Sequence, residues 1–362
     1  MLRCNIASSL LLVAILVLAT AQPGAAQTYP SQTITFVVSF SAGGVADVVA
    51  RLVAQRLGER GAKIVVENRG GAGGNLAARL VSVAAPDGYT VLATTTALAI
   101  NATASRNKGY ATEDLRAVAV VALAPDVMAV HPASSAKDIP DFVRSAGGDK
   151  GITFGTPGLG TGPHIAAAYF YQEVVKIKAV HVPFSGGAPA VAAAIGNHVD
   201  VINVSLPTAQ SQIEQGALRG LGTPSPKRIS AMPNLPTFAE AGFPNFHSAT
   251  WVGFFVPAKT PDAVVEKLNA EVNEAVASAE MQEKLKSIGF APMIKTVAES
   301  VDYARDEVAR WGKMSRRFLD GLTIQGHSAL MPAHSTTLVT RSISSATARP
   351  KAPGPAPAGS IP

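Results

Sequence analysis

Cysteine is almost absent: the one thiol in 362 residues is Cys4, at the extreme start of the chain. A long chain without thiols has no disulfide staples, so its stability has to come from a buried core, and thiolate catalysis and cysteine-ligated zinc are excluded downstream of Cys4. Aromatic residues are also few, 6% of the total, and they do not interleave with basic runs. The formal charge of +6 sits largely at the ends, where Arg3, Arg341, Arg349 and Lys351 carry four of the six charges. Residues 27–322 are therefore close to neutral and lack the basic footprint of a nucleic-acid binder.

Catalytic signatures are missing too. There is no G-x-S-x-G elbow and no H-E-x-x-H pair. His131, His164, His181, His198 and His247 stand apart, without acidic or histidine partners at metal-ligand spacing. Gly158-x-Gly160-x-Gly162 is not the G-x-G-x-x-G fingerprint, and the strand-like segment 179–182 ends without the acid that would hold a ribose. No catalytic residue, metal or cofactor is expected.

Long apolar runs are limited to Leu10–Ala19, well short of the ~20 residues that span a bilayer. Arg3 precedes the run, and Gly24-Ala25-Ala26 follows it. That three-part order is a secretory signal peptide over residues 1–26, with cleavage after Ala26 or, nearly as well, after Ala21. Cys4 lies before the run rather than after it, which does not fit a lipid anchor. The mature chain is expected in the periplasm.

What the mature chain does contain is alternation. Ile34–Phe40 reads as a strand, Val45 to Leu57 recur at helical spacing, and residues 63–67 form a second strand. A helix is expected over Asn75–Ala85 and a strand over Tyr89–Thr94. The theme restarts near Ala124–His131, with strands at 151–154, 179–182 and 199–204, each followed by a glycine- or proline-marked helix start. An apolar strand over Ala249–Val256 then leads to three helices, the last opened by the capping box Thr296-x-x-Glu299. Strands alternating with helices predict an α/β fold with parallel sheets. Two such blocks with a return strand predict two lobes and a cleft between them: residues 27–123 and 249–322 in the first, 124–248 in the second, and 323–362 as a disordered tail.

Three strand-to-helix loops stand out: Ser41-Ala42-Gly43-Gly44, Gly158–Pro163 and Ser185-Gly186-Gly187-Ala188. Free amides and the helix dipole make such loops suitable for a carboxylate or phosphate, although a tight turn alone would also require glycine. None of them carries Arg or Lys, so recognition would rest on amides, hydroxyls and water. Asp47 falls in a first helical turn and His164 follows Pro163 at another, and either could be structural or could meet a ligand.

The segments Tyr29-Pro30, Phe40–Asp47, Val66-Glu67-Asn68-Arg69, Gly71–Asn75, Pro86–Tyr89, His181–Phe184 and Pro233–Thr237 together resemble the Bug receptors, the substrate-binding components of tripartite tricarboxylate transporters. The likeness runs from about Tyr29 to Leu322. It implies a two-lobed periplasmic-binding-protein fold of type II character that closes on a small carboxylate and meets membrane permease subunits or a sensor, most simply as a monomer. It assigns ligand contact to Ser41, Ala42, Gly43, Gly44, Asp47, Thr95, Thr96, Thr161, His164, Ser185, Gly186, Gly187 and Ala188. Two departures fall on pocket loops: Phe184-Ser185 replaces a Tyr-Lys pair, and Asn203-Val204-Ser205 lacks the acid that often follows the Asp-Val strand. The competing readings are a periplasmic enzyme with Asp47 or His164 as base, and capture of phosphate, sulfate or phosphonate.

Overall fold

The inner strands are apolar on both faces, and that dictates the layering. In β1 (Ile34–Val38), Phe36 and Val38 enter one core cluster and Val37 enters another. A strand that buries both faces belongs in a parallel sheet covered by helices on each side. The computed structural model describes residues 29–326 apart from 106 and 149; the predicted signal peptide and all but the first four residues of the predicted tail lie outside the described residues.

In chain order the remaining strands are β2 (Ile64–Asn68), β3 (Thr90–Thr95), β4 (Leu115–Val130), β5 (Ile152–Thr156), β6 (Ala179–Pro183), β7 (Val201–Ser205), β8 (Arg219–Gly222), β9 (Ala249–Pro257) and β10 (Ala291–Pro292). The helices are α1 (Val45–Gly58), α2 (Asn75–Ser82), α3 (Ala97–Ala104), α4 (Ile139–Ala146), α5 (Gly162–Tyr169), α6 (Gly187–Ile195), α7 (Leu206–Glu214), α8 (Asp262–Ala277), α9 (Ala279–Ser287) and α10 (Val297–Gly326).

Strand order is β2-β1-β3-β9-β4-β7-β5-β6, with β8 and β10 also on β4. The first five, with β10, make one lobe's sheet, and β7, β5, β6 and β8 the second's; β4 serves both. Its residues Leu115 to Pro125 pair antiparallel with β9, and from Asp126 to Ala129 it pairs with β7. Strands β1, β2 and β3 are mutually parallel, as are β5, β6 and β7.

Each sheet is sandwiched. On one face of the first, Val49, Val53 and Leu57 of α1 pack with Val265 and Leu268 of α8; on the other lie Ala77 and Val81 of α2, Leu98 of α3 and Trp311 of α10. The second sheet is covered by Phe142 of α4 and Ala167 of α5 on one face, and by Val191 of α6 and Ala209 of α7 on the other. Burying a Leu, Val or Phe side chain contributes about 1.5–3 kcal/mol, and these four clusters stand in for the missing disulfides.

The structure shortens or merges some predicted elements. β1 ends at Val38 rather than Phe40, because Phe40 and Ser41 already belong to the turn into α1. α2 stops at Ser82, not Ala85. The strand predicted to open the second lobe is the latter half of the 16-residue β4. The capping box forms as read: Glu299 N–H donates to Thr296 Oγ1 at 3.2 Å, and Thr296 N–H donates to Glu299 Oε2 at 2.8 Å. α10 extends to Gly326, so residues 323–326 of the predicted tail are helical.

Candidate functional site

Four helices begin beyond the carboxyl ends of β1, β5, β6 and β7, and none has a side-chain cap: α1 after Gly44, α5 after Thr161, α6 after Gly186 and α7 after Ser205. An uncapped N-terminus leaves its first N–H groups free and carries partial positive charge. Gly44, Thr161, Gly187 and Ser205 all line one cavity of about 20 Å³, together with Phe40, Val45, Thr95, Pro157, Pro163, Thr208 and Thr250. No ionisable side chain lines it. That volume holds roughly one water molecule.

The first loop is shaped by its own acid. Gly43 has φ +76°, a left-handed conformation that only glycine takes without strain, and this turns the Gly43 N–H to donate to Asp47 Oδ2 at 2.9 Å. Asp47 Oδ1 accepts from Arg51 Nε at 3.0 Å and Asn68 Nδ2 at 2.9 Å, and Asn68 also donates to the Phe40 carbonyl at 3.0 Å. Burial alone would raise the Asp47 pKa, but hydrogen bonds from Arg51, Gly43 N–H and Asn68, with the Arg51 charge, hold it below the ordinary value. The Asp47 carboxylate is thus occupied by Gly43 N–H, Arg51 and Asn68; it ties the loop to α1 and β2 and does not line the cavity.

His164 has a similar task in the second lobe. Its Nδ1 accepts from Gly160 N–H at 3.2 Å, and its ring stacks on His181 with centroids 4.0 Å apart. His181 Nε2 in turn lies 2.6 Å from Thr156 Oγ1. Burial, then the neighbouring His181, pushes the His164 pKa down to about 3; burial pushes His181 down to about 4. Both rings are neutral near pH 7 and brace the loop from β5 to α5.

The other predicted residues separate by position. Gly44, Thr95, Thr161 and Gly187 face the cavity. Ser41, Gly43, Ser185, Gly186 and Ala188 form a seam between the lobes, where Ser41 N–H donates to the Ser185 carbonyl at 3.2 Å and a Cβ on Gly43 would lie 3.5 Å from that of Ala188. The buried Ser41 Oγ has no hydrogen-bond partner. Thr96 points away: its Oγ1 accepts from Trp251 N–H at 2.9 Å and fastens α3 to β9. Ala42 is exposed at the tip of its loop.

Ser205, Thr208 and Thr250 also stand on the cavity wall, with Asp126 bonded to two of them from behind, and none of the four was among the predicted site residues. Asp126 is 3% exposed and accepts from Ser205 Oγ at 2.9 Å and Thr250 Oγ1 at 3.1 Å, and from Ser248 Oγ as well. The signal available was a lone charge in the apolar run of β4. Among the described residues, no group of three or more His, Cys, Asp or Glu side chains is placed to hold a metal ion.

Two α/β lobes bridged by β4 and β9, with helix N-termini gathered between them, define the class of solute-binding proteins. Residues 45–318 match the family described as the tripartite tricarboxylate transporter family receptor. BugT of Bordetella pertussis is 31% identical over 301 residues, which is 82% of this chain and 92% of that protein. Among solved structures, Rpa4515 of R. palustris with adipate is 30% identical, covering 80% of this chain and 97% of that one with a TM-score of 0.76. MatC of Rhodopseudomonas palustris with bound malate is 27% identical, covering 79% and 100% with a TM-score of 0.72. The chain belongs to the tripartite tricarboxylate transporter receptor family, as its resemblance to the Bug receptors implied.

Proposed function

We propose that this protein is a periplasmic receptor that captures a small organic carboxylate between its lobes and hands it to the membrane permease subunits of a tripartite transporter, or to a sensor, acting as a monomer. The observation that carries this reading is the convergence of four uncapped helix N-termini on one cavity without a side-chain cation. Amides fixed in that way stabilise an anion without the tight, slow release that buried Arg pairs would bring. The adipate and malate complexes of its relatives support a carboxylate as that anion. The proposed contacts are the amides and hydroxyls of Ser41, Ala42, Gly43, Gly44, Thr95, Thr161, Ser185, Gly186, Gly187 and Ala188, with Asp47, Thr96 and His164 supporting them.

A cavity of about 20 Å³ is too small for a dicarboxylate, so binding requires the lobes to part and close again. We assign residues 27–123 and 249–322 to one lobe and 124–248 to the other, with β4 and β9 as the hinge. A catalytic role fits poorly, because Asp47 is held below its ordinary pKa and His164 at about 3, and both make poor general bases near neutrality.

The test is a thermal-shift screen of the exported protein against mono-, di- and tricarboxylates, amino acids, phosphate, sulfate and phosphonate. A ligand at 100 times its Kd adds about 2.7 kcal/mol of stability. Stabilisation by a carboxylate class supports the receptor reading and names its ligand; stabilisation by inorganic oxyanions alone replaces it.

A further inference from the structure

Asp126 is a buried carboxylate whose three partners in the structure are all hydroxyls: Ser205, Ser248 and Thr250. It stands where β4 leaves β9 and begins to pair with β7, opposite Ser205 in the ladder.

Ser205 and Thr250 line the cavity. A hydroxyl owns one proton and two lone pairs. Each of these two gives its proton to Asp126 Oδ1, at 2.9 and 3.1 Å, so each presents only lone pairs to the cavity. Thr161 on the same wall is fixed alike, its proton donated to the Gly158 carbonyl at 2.7 Å. The helix N-termini supply donors for a carboxylate, and beside them stands a set of obligate acceptors. A carboxylate oxygen placed against those acceptors would meet lone pairs with lone pairs, whereas a hydroxyl or ammonium would complete a hydrogen bond.

Resting on the carboxylate site proposed above, we infer that Ser205 and Thr250, oriented by Asp126, select ligands that carry a hydroxyl or amino donor in addition to their carboxylate. Burial raises the Asp126 pKa to about 6, with Ser248, Ser205 and Thr250 pulling it back, so the carboxylate is ionised and its orienting effect is present near pH 7. Asp126 itself does not line the cavity and acts as a positioning residue.

The experiment is isothermal titration at pH 7.5 with matched probes: succinate against malate and aspartate, and glutarate against 2-hydroxyglutarate and glutamate. The expected result is at least tenfold tighter binding of a hydroxy or amino member than of its unsubstituted partner. Asp126→Asn, which can donate to Ser205 and Thr250 and free their protons, should cut that preference below threefold. Thr250→Val keeps the side-chain shape and leaves Asp126 two of its partners; it should also narrow the preference, and a melting curve verifies that each variant is folded. Equal affinities within both sets in the wild type, or an undiminished preference in folded Thr250→Val, overturns the inference and leaves the carboxylate receptor standing. Absence of binding by every probe, with no other carboxylate stabilising the protein in the thermal screen, overturns the carboxylate reading and this inference together.

Discussion

The backbone amide of Ser41 reaches across the lobes to the Ser185 carbonyl at 3.2 Å, and the two loops meet so closely that a Cβ on Gly186 would lie 2.1 Å from Ser41 Oγ. This contact fixes how near the first helix N-terminus comes to the third.

Gly186→Ala is expected to hold the seam apart. Affinity for the preferred carboxylate should fall at least tenfold, about 1.4 kcal/mol or more, while the melting temperature of the free protein changes little. Titration calorimetry beside a melting curve reads both. Unchanged affinity would mean that the lobes do not close on this contact.

Gly43→Val acts on geometry rather than on closure. The position has φ +76°, which costs an L-residue roughly 1–2 kcal/mol, and the new side chain would project toward Ala188. Ligand binding should be lost with only modest destabilisation in urea. If binding survived, the anion would have to sit away from this loop.

Asp47→Ala removes the acceptor of Gly43 N–H and one of two acceptors of Asn68, which keeps the Phe40 carbonyl. Gly43 is exposed and Asn68 half-buried, so water can replace the carboxylate and the loss is that of ordinary hydrogen bonds, about 0.5–1.5 kcal/mol each, to which the exposed Arg51 adds little. Urea unfolding should register a loss of that size, with Asp47→Asn milder. A variant as stable as the wild type would show that the loop orders itself without the carboxylate.

Opposing titrations should flatten the pH profile of stability. The Asp126 pKa is raised to about 6, so the folded state holds a proton that the unfolded chain releases, and stability falls as pH rises from about 4 to about 6. His164 and His181 are depressed to about 3 and about 4, so the unfolded chain takes up protons first, and stability falls as pH drops below about 6.5. Asp126→Asn should expose the histidine effect alone, with melting temperature declining toward acid. His164→Asn, whose amide oxygen can replace Nδ1 as the acceptor for Gly160, leaves only His181 to oppose Asp126 and should bring the profile close to level. Parallel profiles for the two variants would contradict these assignments.

Much of the fold is legible because its causes are local. Strands such as Ile34–Val38 are apolar on both faces, and the glycines of the first loop sit directly before a helical repeat. α3 escaped because its first five residues, Ala97 to Asn101, are all buried: a helix that starts hidden on every side shows no polar stripe there to reveal its period. The site was only half legible for a different reason. Uncapped N-termini follow from short segments, but the Asp126 network joins residues 79, 122 and 124 positions apart, and only the pairing of β4 with β7 and β9 brings them together. Asp47 and His164 were visible as residues near the site, whereas their supporting role depended on Asn68 and on the loop amides they hold.

The two chain crossings between the lobes are not independent tethers. Pro125 and Ala249 are ladder partners, and one residue further on Asp126 grips Ser248, so the crossings are laced side by side. Two strips fastened edge to edge bend readily across their common width but resist sliding or twisting past one another. The opening proposed above would thereby be confined to a rotation about a single line near Asp126, like a book turning on its spine, and closure would return the four helix ends to the same mutual register.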